Sequence, residues 1–311
     1  MHLHDTVEAQ PPLHTNYPDT PPISIFQTVT RNPFNSIRIA MILLVGLLLV
    51  PQQPALCHDA DSLGLRISFF DVGQGAAALL ASADGRHIVI DGGRNSSQLT
   101  ALVRARGVEK IDLLVATHHH ADHIGGLPAL IGAMPVANFL ENGTPATTAI
   151  YGTLVRAISA AEVRMLEPSA RTLSVGEALQ LRVLPPMAGG RTQNERSLGA
   201  IVGYGSFRAI FTGDAEVPVL EMWLAQQNVP RATVVLAGHH GSRKATTPEW
   251  VRATSPSLVV FSAGARNSYG HPSPAAIAMW SAPGRQMART DRDGTIEVRG
   301  CRDGSYSRAT P

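Results

Sequence analysis

Beyond residue 64 the chain alternates short apolar runs with Gly, Asp and Pro, a pattern typical of buried strands and helices joined by turns. The apolar runs predict strands at 66–70, 76–81, 87–90, 111–116, 179–184, 200–204, 208–211, 233–237, 258–261 and 295–298. Helical spacing predicts helices at 97–106, 147–161, 248–252 and 273–280. Asp84-Gly85 predicts a turn between two strands, and Gly205-Ser206 predicts a hairpin.

The arrangement of these elements indicates the fold class. Most strands are continuous apolar runs rather than alternations, so we expect both faces of a sheet to be covered. Strands and helices interleave, and several strands pair locally, which predicts mixed sheets with helices outside in a layered α/β domain. We find no linker between 65 and 300, so the sequence predicts one domain there, followed by a tail at 301–311.

The front of the chain has a different character. Residues 1–36 are rich in Pro, Thr and Asn without a sustained hydrophobic period, which indicates a disordered leader or a start codon assigned too early. Arg38 then precedes the apolar run Ile39–Val50. As a helix this run spans about 18 Å, which is short of the ~30 Å hydrocarbon core of a bilayer.

We therefore predict a signal peptide at 37–57, with Ala55 and Cys57 at the −3 and −1 positions of a cleavage site before His58. Export to the periplasm or beyond follows, with no stable membrane span after cleavage. The alternatives are a short anchor in the inner membrane or a buried helix. Cleavage after Cys57 would leave Cys301 alone and exclude an intrachain disulfide.

Composition narrows the classes of protein that remain. A hydrophobic content of 44% excludes a disordered or fibrous chain. A net charge of +2 argues against a dedicated nucleic-acid coating protein. Two cysteines exclude a disulfide scaffold and any zinc module built from several cysteines.

Clustered histidines are the main candidates for metal binding. The stretch 117–123, Thr-His-His-His-Ala-Asp-His, follows a predicted strand, and clustered imidazoles are costly to bury unless they are satisfied. An alternative is an exposed His-rich turn that binds metal adventitiously. Asp214 and His239-His240 follow two other predicted strands, and strand ends meet at one edge of a sheet. Nitrogen and oxygen ligands together suit Zn²⁺, with Mn²⁺ or Fe²⁺ as alternatives.

These motifs resemble a known family. Asp91-Gly92-Gly93, the 118–123 stretch, Asp214 and His239-His240 occur in the order used by metallo-β-lactamase-fold hydrolases. More narrowly, 70–75, 194–197, 239–242 and 267–272 resemble the hydrolase domain of ComEC-type competence proteins and their soluble relatives, and the resemblance covers about 65–298. It implies an αβ/βα sandwich of two mixed β-sheets flanked by helices, with a site for two divalent metal ions along one edge. The membrane-channel portion of competence proteins lies outside the resemblance, so DNA uptake is not carried over.

With this resemblance, His118 and His120 are assigned to the first metal ion and Asp122 and His123 to the second, with Asp214 bridging both. We expect His240 to complete the second site and His239 to face substrate; the reverse assignment is the alternative. Many superfamily members supply a third His to the first metal from the middle of the chain. Here no His lies between 123 and 239, and Asn194 and Ser197 stand near that place, which implies fewer protein ligands.

Other residues receive supporting roles. Asp91 is expected to orient a ligating imidazole, and a turn residue is the alternative for both Asp91 and Asp71. His271 is a candidate phosphate-binding or proton-donating residue. The remaining candidates for substrate binding are Ser242, Arg243, Asn267 and Tyr269. Arg243 is equally well explained as an ordinary surface cation.

The predicted reaction is hydrolysis by a metal-bound hydroxide, with Asp122, His239 and His271 as catalytic residues. A phosphodiester is the expected substrate, in nucleic acid or in a smaller phosphoester. A lactone or a β-lactam is the first alternative. The second is a non-catalytic module that binds metal or nucleic acid on a decayed scaffold, supported by the missing His and by Ala76, where many family members have an acid.

Overall fold

The computed structural model describes Cys57 and residues 64–309. The predicted leader and, apart from Cys57, the predicted signal peptide lie outside the described residues. The strands are β1 (Leu65–Phe69), β2 (Ala78–Ala81), β3 (His87–Ile90), β4 (Leu113–Val115), β5 (Asn138–Leu140), β6 (Arg164–Leu166), β7 (Thr172–Val175), β8 (Leu179–Leu184), β9 (Gly199–Tyr204), β10 (Phe207–Phe211), β11 (Val234–Leu236), β12 (Leu258–Phe261), β13 (Gln286–Arg289), β14 (Ile296–Gly300) and β15 (Tyr306–Ala309). The helices are α1 (Ser96–Arg104), α2 (Ala121–Ile124), α3 (Leu127–Ala133), α4 (Ala149–Ala160), α5 (Val217–Gln226), α6 (Pro248–Thr254), α7 (Pro274–Trp280) and α8 (Thr290–Asp293).

The strands form two mixed sheets, as the sequence predicts. The first sheet has the order β15-β14-β1-β2-β3-β4-β5-β6 and the second the order β13-β12-β11-β10-β9-β8-β7. In each sheet the pairs along one half are antiparallel, and the remainder, β3 to β6 and β10 to β13, are parallel. The predicted hairpin is confirmed: Tyr204 pairs with Phe207 across the turn Gly205-Ser206.

Three apolar layers hold the sandwich together. The central layer lies between the sheets and includes Phe69 of the first sheet stacked on Phe211 of the second, with ring centroids 5.8 Å apart. The outer face of the first sheet packs on α1, α3 and α4, and the outer face of the second packs on α5, α6 and α7. Each sheet is therefore covered on both faces over its parallel half, which explains the continuous apolar runs.

Side-chain caps fix where the helices at one end of the sheets begin. The Asn95 side chain accepts hydrogen bonds from the backbone N–H groups of Ser97 and Gln98 at the start of α1. Thr247 and Ser273 cap α6 and α7 in the same way, and each is followed by a proline at the first helical position. These caps hold the loops between strand ends and helices, where the site lies.

The structure corrects two expectations about the ends of the domain. The predicted tail at 301–311 belongs to the first sheet as far as Ala309, because β15 pairs with β14. Cys57 forms a disulfide with Cys301, 244 positions along the chain. Cleavage before His58 would remove Cys57 from the mature chain, so that cleavage position is incompatible with this pairing. Across residues 64–309, no helix combines the length and apolar character that a membrane crossing requires.

The disulfide closes nearly the whole domain into one loop, so its loss should destabilise the fold. We expect reduction, or the C57S/C301S variant, to lower the free energy of unfolding by about 2–5 kcal/mol, because the unfolded chain regains entropy. Urea unfolding with and without reductant measures this. The double variant is the control, since its stability should not respond to reductant. Equal stability of the oxidised and reduced wild-type protein would contradict the pairing.

Candidate metal centre

The candidate site lies where strands of both sheets end. Asp91 follows β3, and the stretch that contains His118 and His120 follows the parallel neighbour β4. On the other sheet, Asp214 follows β10 and His240 follows its parallel neighbour β11. Because the carboxyl ends of parallel strands share an edge, residues far apart in the chain meet there.

Asp91 organises the half of the site that comes from the first sheet. Its side chain is buried and accepts hydrogen bonds from the backbone N–H and the hydroxyl of Thr117, both at 2.8 Å. Its Oδ2 also lies 2.8 Å from Nδ1 of His123. A carboxylate only accepts, so Nδ1 of His123 carries the proton and donates, which turns Nε2 toward the cavity.

The same carboxylate acts on His118 through Thr117. Because the Thr117 hydroxyl donates to Asp91, its oxygen is free to accept from Nδ1 of His118, 3.2 Å away. This leaves Nε2 of His118 as a lone-pair donor, and it lies 3.0 Å from Nδ1 of His120. His120 is exposed and lies at the mouth of the site, and His118 beside it is fully buried.

A second group of ligand-type atoms surrounds Nε2 of His240. Nε2 of His240 is 3.3 Å from Nε2 of His123 and 3.3 Å from Oδ2 of Asp122. Nδ1 of His240 lies 3.0 Å from the backbone oxygen of Ser262, to which it donates. His240 therefore also presents Nε2 to the cavity, in the tautomer that suits a metal ligand.

Asp214 lies between these two groups. Its Oδ1 is 3.1 Å from Nε2 of His123 and 3.7 Å from Nε2 of His240. Its Oδ2 is 3.7 Å from Nε2 of His118 and 3.6 Å from Nε2 of His239. One carboxylate thus faces both groups of imidazoles, one oxygen to each, as a bridging ligand would.

In the site, carboxylates and imidazoles stabilise each other's charged forms. Burial raises the pKa of Asp214, but the imidazoles of His123, His240 and His118 outweigh it and hold that pKa well below its usual value. Burial lowers the pKa of His123, but Asp214 and Asp91 hold it well above its usual value. Asp214 is therefore ionised, and His123 carries a proton that a cation can replace.

The donor set fits divalent metal ions. The ligand atoms of His118, His123 and Asp214 lie within 4.8 Å of one another, and so do those of Asp122, His123 and His240. Nε2 of His123 and Nε2 of His240 are 3.3 Å apart, and the other ring nitrogen of each already donates within the protein. Two such nitrogens face each other favourably only when a cation or a proton lies between them. The chain therefore has the residues to hold the divalent ions that the fold family implies.

Backbone strain places the imidazoles of the second sheet. His239 and His240 have φ values of 50° and 56°, the left-handed region that costs non-glycine residues roughly 1–2 kcal/mol each. Gly213 has φ of 52°, and a Cβ there would lie 2.5 Å from the Thr117 hydroxyl oxygen. Gly75 is similarly required, since a Cβ would lie 2.4 Å from the backbone oxygen of Asp122. Strain concentrated at one edge is typical of a functional site.

The ligands open into a cavity of about 290 Å³. Its lining residues are Gln74, Arg94, His120, Ala121, Asp122, Asp214, His239, His240, Tyr269 and His271. Neither Gln74 nor Arg94 was assigned a role, although Gln74 lies within the motif 70–75 and Arg94 directly follows the motif 91–93. Tyr269 is 62% exposed and stacks against His271, with ring centroids 5.9 Å apart. Burial and the imidazoles of His239 and His240 lower the pKa of His271.

Three predicted substrate-binding residues are not among those that line the cavity. Asn267 instead holds the loop: its side chain accepts from the backbone N–H of His271 and donates to the backbone oxygen of the same residue. The Ser242 hydroxyl accepts from the backbone N–H of Lys244 and caps a short turn. Arg243 is exposed in that turn. Asn267 and Ser242 position residues of the site rather than facing the cavity.

The remaining predicted residues lie around the ligands. Asp71 accepts from the backbone N–H of Gly73 and so forms a turn. Asn194 donates to Glu216 at 3.3 Å, and Glu216 Oε1 lies 3.6 Å from Nδ1 of His239. Ser197 is fully buried, and its hydroxyl and the Asn194 side-chain oxygen have no hydrogen-bond partner within the described residues. Glu216 was missed, because an acid two positions after Asp214 carries no motif of its own.

His119, the middle member of the histidine run, is directed away from the cavity. Its ring is buried against Tyr151, with centroids 4.4 Å apart, and Nε2 lies 2.6 Å from the Glu141 carboxylate. Successive side chains after a strand point to opposite sides. The run therefore supplies two residues to the site and one to the packing of α4.

Residues 70–264 match the Metallo-beta-lactamase superfamily. The chain belongs to this superfamily. Members of it are metal-dependent hydrolases, and the candidate metal ligands, from His118 to His240, lie within the matched residues.

Individual comparisons agree with the fold and with the resemblance to competence proteins. Competence protein ComA of Neisseria gonorrhoeae is 27% identical over 83% of this chain and 35% of its own length. The chain thus spans about a third of that relative. Ribonuclease Z of Clostridium kluyveri is 38% identical over 20% of this chain and 19% of its own. The crystal structure of CmlA, a diiron beta-hydroxylase from Streptomyces venezuelae, covers 72% of this chain and 52% of its own with a TM-score of 0.51 at 17% identity, which shows a shared fold.

The hydrogen bonds of Asp91 predict a measurable effect on metal affinity. In the D91N variant the amide cannot accept all three hydrogen bonds, so the tautomers of His123 and His118 are no longer fixed. We expect divalent-metal affinity to fall about 10–100-fold, as measured by competition with a chromogenic chelator. The matched control is D71N, which alters a turn outside the cavity and should bind metal like wild type. Unchanged affinity in folded D91N would contradict this role.

Proposed function

We propose that this metal-dependent hydrolase is a phosphodiesterase that cleaves an anionic phosphodiester, in nucleic acid or in a smaller phosphoester. The observation that carries the proposal is the set of cationic and hydrogen-bonding side chains that line the cavity beside the metal ligands. An exposed guanidinium, Arg94, lines the same cavity as His239 and His271. Cationic and hydrogen-bonding groups around a metal site suit a phosphate better than a neutral lactone or amide.

In this proposal two divalent ions are held by His118, His120, Asp122, His123, His240 and Asp214. When bound, such ions lower the pKa of a water molecule toward neutrality and offset negative charge on a phosphoryl oxygen. The protein's own contribution is to fix the ligands before substrate arrives. Asp91 and the backbone oxygen of Ser262 do so for His123 and His240 by accepting from their outer ring nitrogens.

Groups at the cavity rim orient the substrate. His271 has a lowered pKa, so its ring is neutral at pH 7 and donates one hydrogen bond rather than a full charge. Arg94 supplies the positive charge that His271 lacks, as a planar donor suited to phosphate oxygens. His239, 20% exposed, stands between Asp214 and Glu216 and faces the cavity, where it can hydrogen-bond a phosphate oxygen.

The first comparison of substrates tests the reaction class. Wild type with Zn²⁺ or Mn²⁺ restored after chelation should turn over bis-p-nitrophenyl phosphate faster than nitrocefin or an acyl-homoserine lactone.

The H120A and D214A variants should lose turnover while remaining folded, because each substitution removes a ligand. H271A should slow turnover by about 10²-fold and retain metal. Preference for the lactone or for nitrocefin would overturn the proposed substrate, and full activity of D214A would overturn the assigned ligands.

We also propose that the domain acts outside the cytosol. The Cys57–Cys301 disulfide supports this, because such bonds form and persist in oxidising compartments. If the predicted apolar segment directs export, cleavage occurs upstream of Cys57 rather than before His58.

N-terminal sequencing of the exported protein tests this proposal. We expect the mature chain to begin before Cys57 and to contain no free thiol when titrated under denaturing conditions. A mature terminus at His58, or an intact Met1 in a cytosolic protein with two free thiols, would contradict it.

A further inference from the structure

A second concave surface lies away from the metal centre, on the outer face of the first sheet. It has a volume of about 640 Å³, larger than the cavity at the metal centre. Strands β2, β1, β14 and β15 form its floor, and the end of α1 forms one wall. Polar residues that line it are Arg66, Ser68, Arg106, Glu297, Arg299, Ser307 and Arg308, and we call it the arginine groove.

Two of its four arginines are engaged within the protein. Arg106 Nη2 lies 2.5 Å from Glu297 Oε1, and its Nε donates to the Ser68 hydroxyl at 2.8 Å. Arg308 pairs with Asp293 at 2.6 Å. The single carboxylate in the groove, Glu297, is therefore already neutralised by Arg106.

The other two arginines are opposed to each other. Arg66 of β1 and Arg299 of β14 are direct partners in the antiparallel register, which brings their Cβ atoms about 4.5–5.5 Å apart. Like charges in this position destabilise a strand pair. Among residues 64–309, neither guanidinium has an acidic or hydrogen-bonding side-chain partner. Two guanidinium groups that face one groove, without an acidic partner among the described residues, are a site for an anion with several oxygens, and phosphate is the anion that this geometry suits best.

We propose that the arginine groove binds the sugar–phosphate backbone of a single-stranded nucleic acid, at a distance from the metal centre. The inference rests on the proposed function, since a polymeric phosphodiester substrate extends beyond the site of cleavage. The volume exceeds what one phosphate needs, and the small apolar side chains of Ala81 and Ala105 on its floor and wall leave room for the sugars between successive phosphates. Arg66 and Arg299 hold the phosphates.

Salt dependence of binding tests the groove. A fluorescent oligothymidylate is titrated with the full chain in EDTA, which prevents cleavage, at several salt concentrations, and binding is followed by anisotropy. In R66Q/R299Q the slope of log K against log salt should fall by about 0.7 for each arginine that contacts a phosphate. The matched control is R156Q/R252Q, which removes the same charge from exposed arginines on α4 and α6 and should keep the wild-type slope.

The outcomes separate the possibilities. An unchanged slope in folded R66Q/R299Q would overturn the proposal, and so would an equal loss in both double variants, which would indicate a general charge effect. If R66Q/R299Q loses binding to phosphatidylglycerol vesicles but keeps wild-type oligonucleotide binding, the groove binds a membrane surface and the proposal is overturned as well. Turnover of bis-p-nitrophenyl phosphate by wild type is measured in parallel. Its absence would count against the proposed function, whereas the salt slopes would still report on the groove.

Discussion

One buried carboxylate, that of Asp91, determines the geometry of the candidate centre. It receives the N–H and O–H of Thr117 and the Nδ1–H of His123, so all three donors come from the segment that follows β4. Burying an ionised carboxylate is unfavourable unless its oxygens are satisfied. The strands β3 and β4 must therefore end in register, because a shift of either one would leave the carboxylate without donors. The backbone N–H of Asp91, which donates to Val115 at 2.8 Å, enforces that register.

The centre also depends on the contact between the two sheets. His118 and His123 come from the first sheet, and Asp214 and His240 come from the second. At this edge the backbone oxygen of Thr117 accepts from the N–H of Leu198 at 2.9 Å, which ties the strand ends of the two sheets together. Distances among the ligands are consequently set by how the apolar layer between the sheets packs. A large-to-small substitution that leaves a cavity in that layer would therefore change metal affinity as well as stability.

The sequence predicts the fold class and the ligands for a physical reason: each ligand follows a buried strand and belongs to a residue type that is rarely buried without a function. Several of the elements that were missed are short. Strands β5 and β6 have three residues each, and each includes a polar residue, Asn138 or Arg164. The equally short β4 and β11 are wholly apolar and lie within the longer runs that predicted them. The rim residues Gln74 and Arg94 were missed because their role depends on where a loop folds. Asn267 and Ser242 were predicted to bind substrate because they belong to motifs near the predicted ligands. A motif does not show that their side chains form hydrogen bonds with backbone groups of His271 and Lys244, which only the structure reveals.

The disulfide and the arginine groove lie on the same pair of strands. Cys301 directly follows β14, and the Cys57 sulfur lies beside Gly64, immediately before β1. The covalent bond thus closes the end of the β1–β14 pair next to the row in which Arg66 and Arg299 oppose each other. Repulsion between these guanidinium groups favours separation of the two strands, and the disulfide opposes that separation. Because the disulfide links β1 and β14, this strand pair can keep Arg66 and Arg299 without an acidic partner among the described residues and available to an anion. Without the disulfide, the same repulsion would lower the stability of the strand pair more.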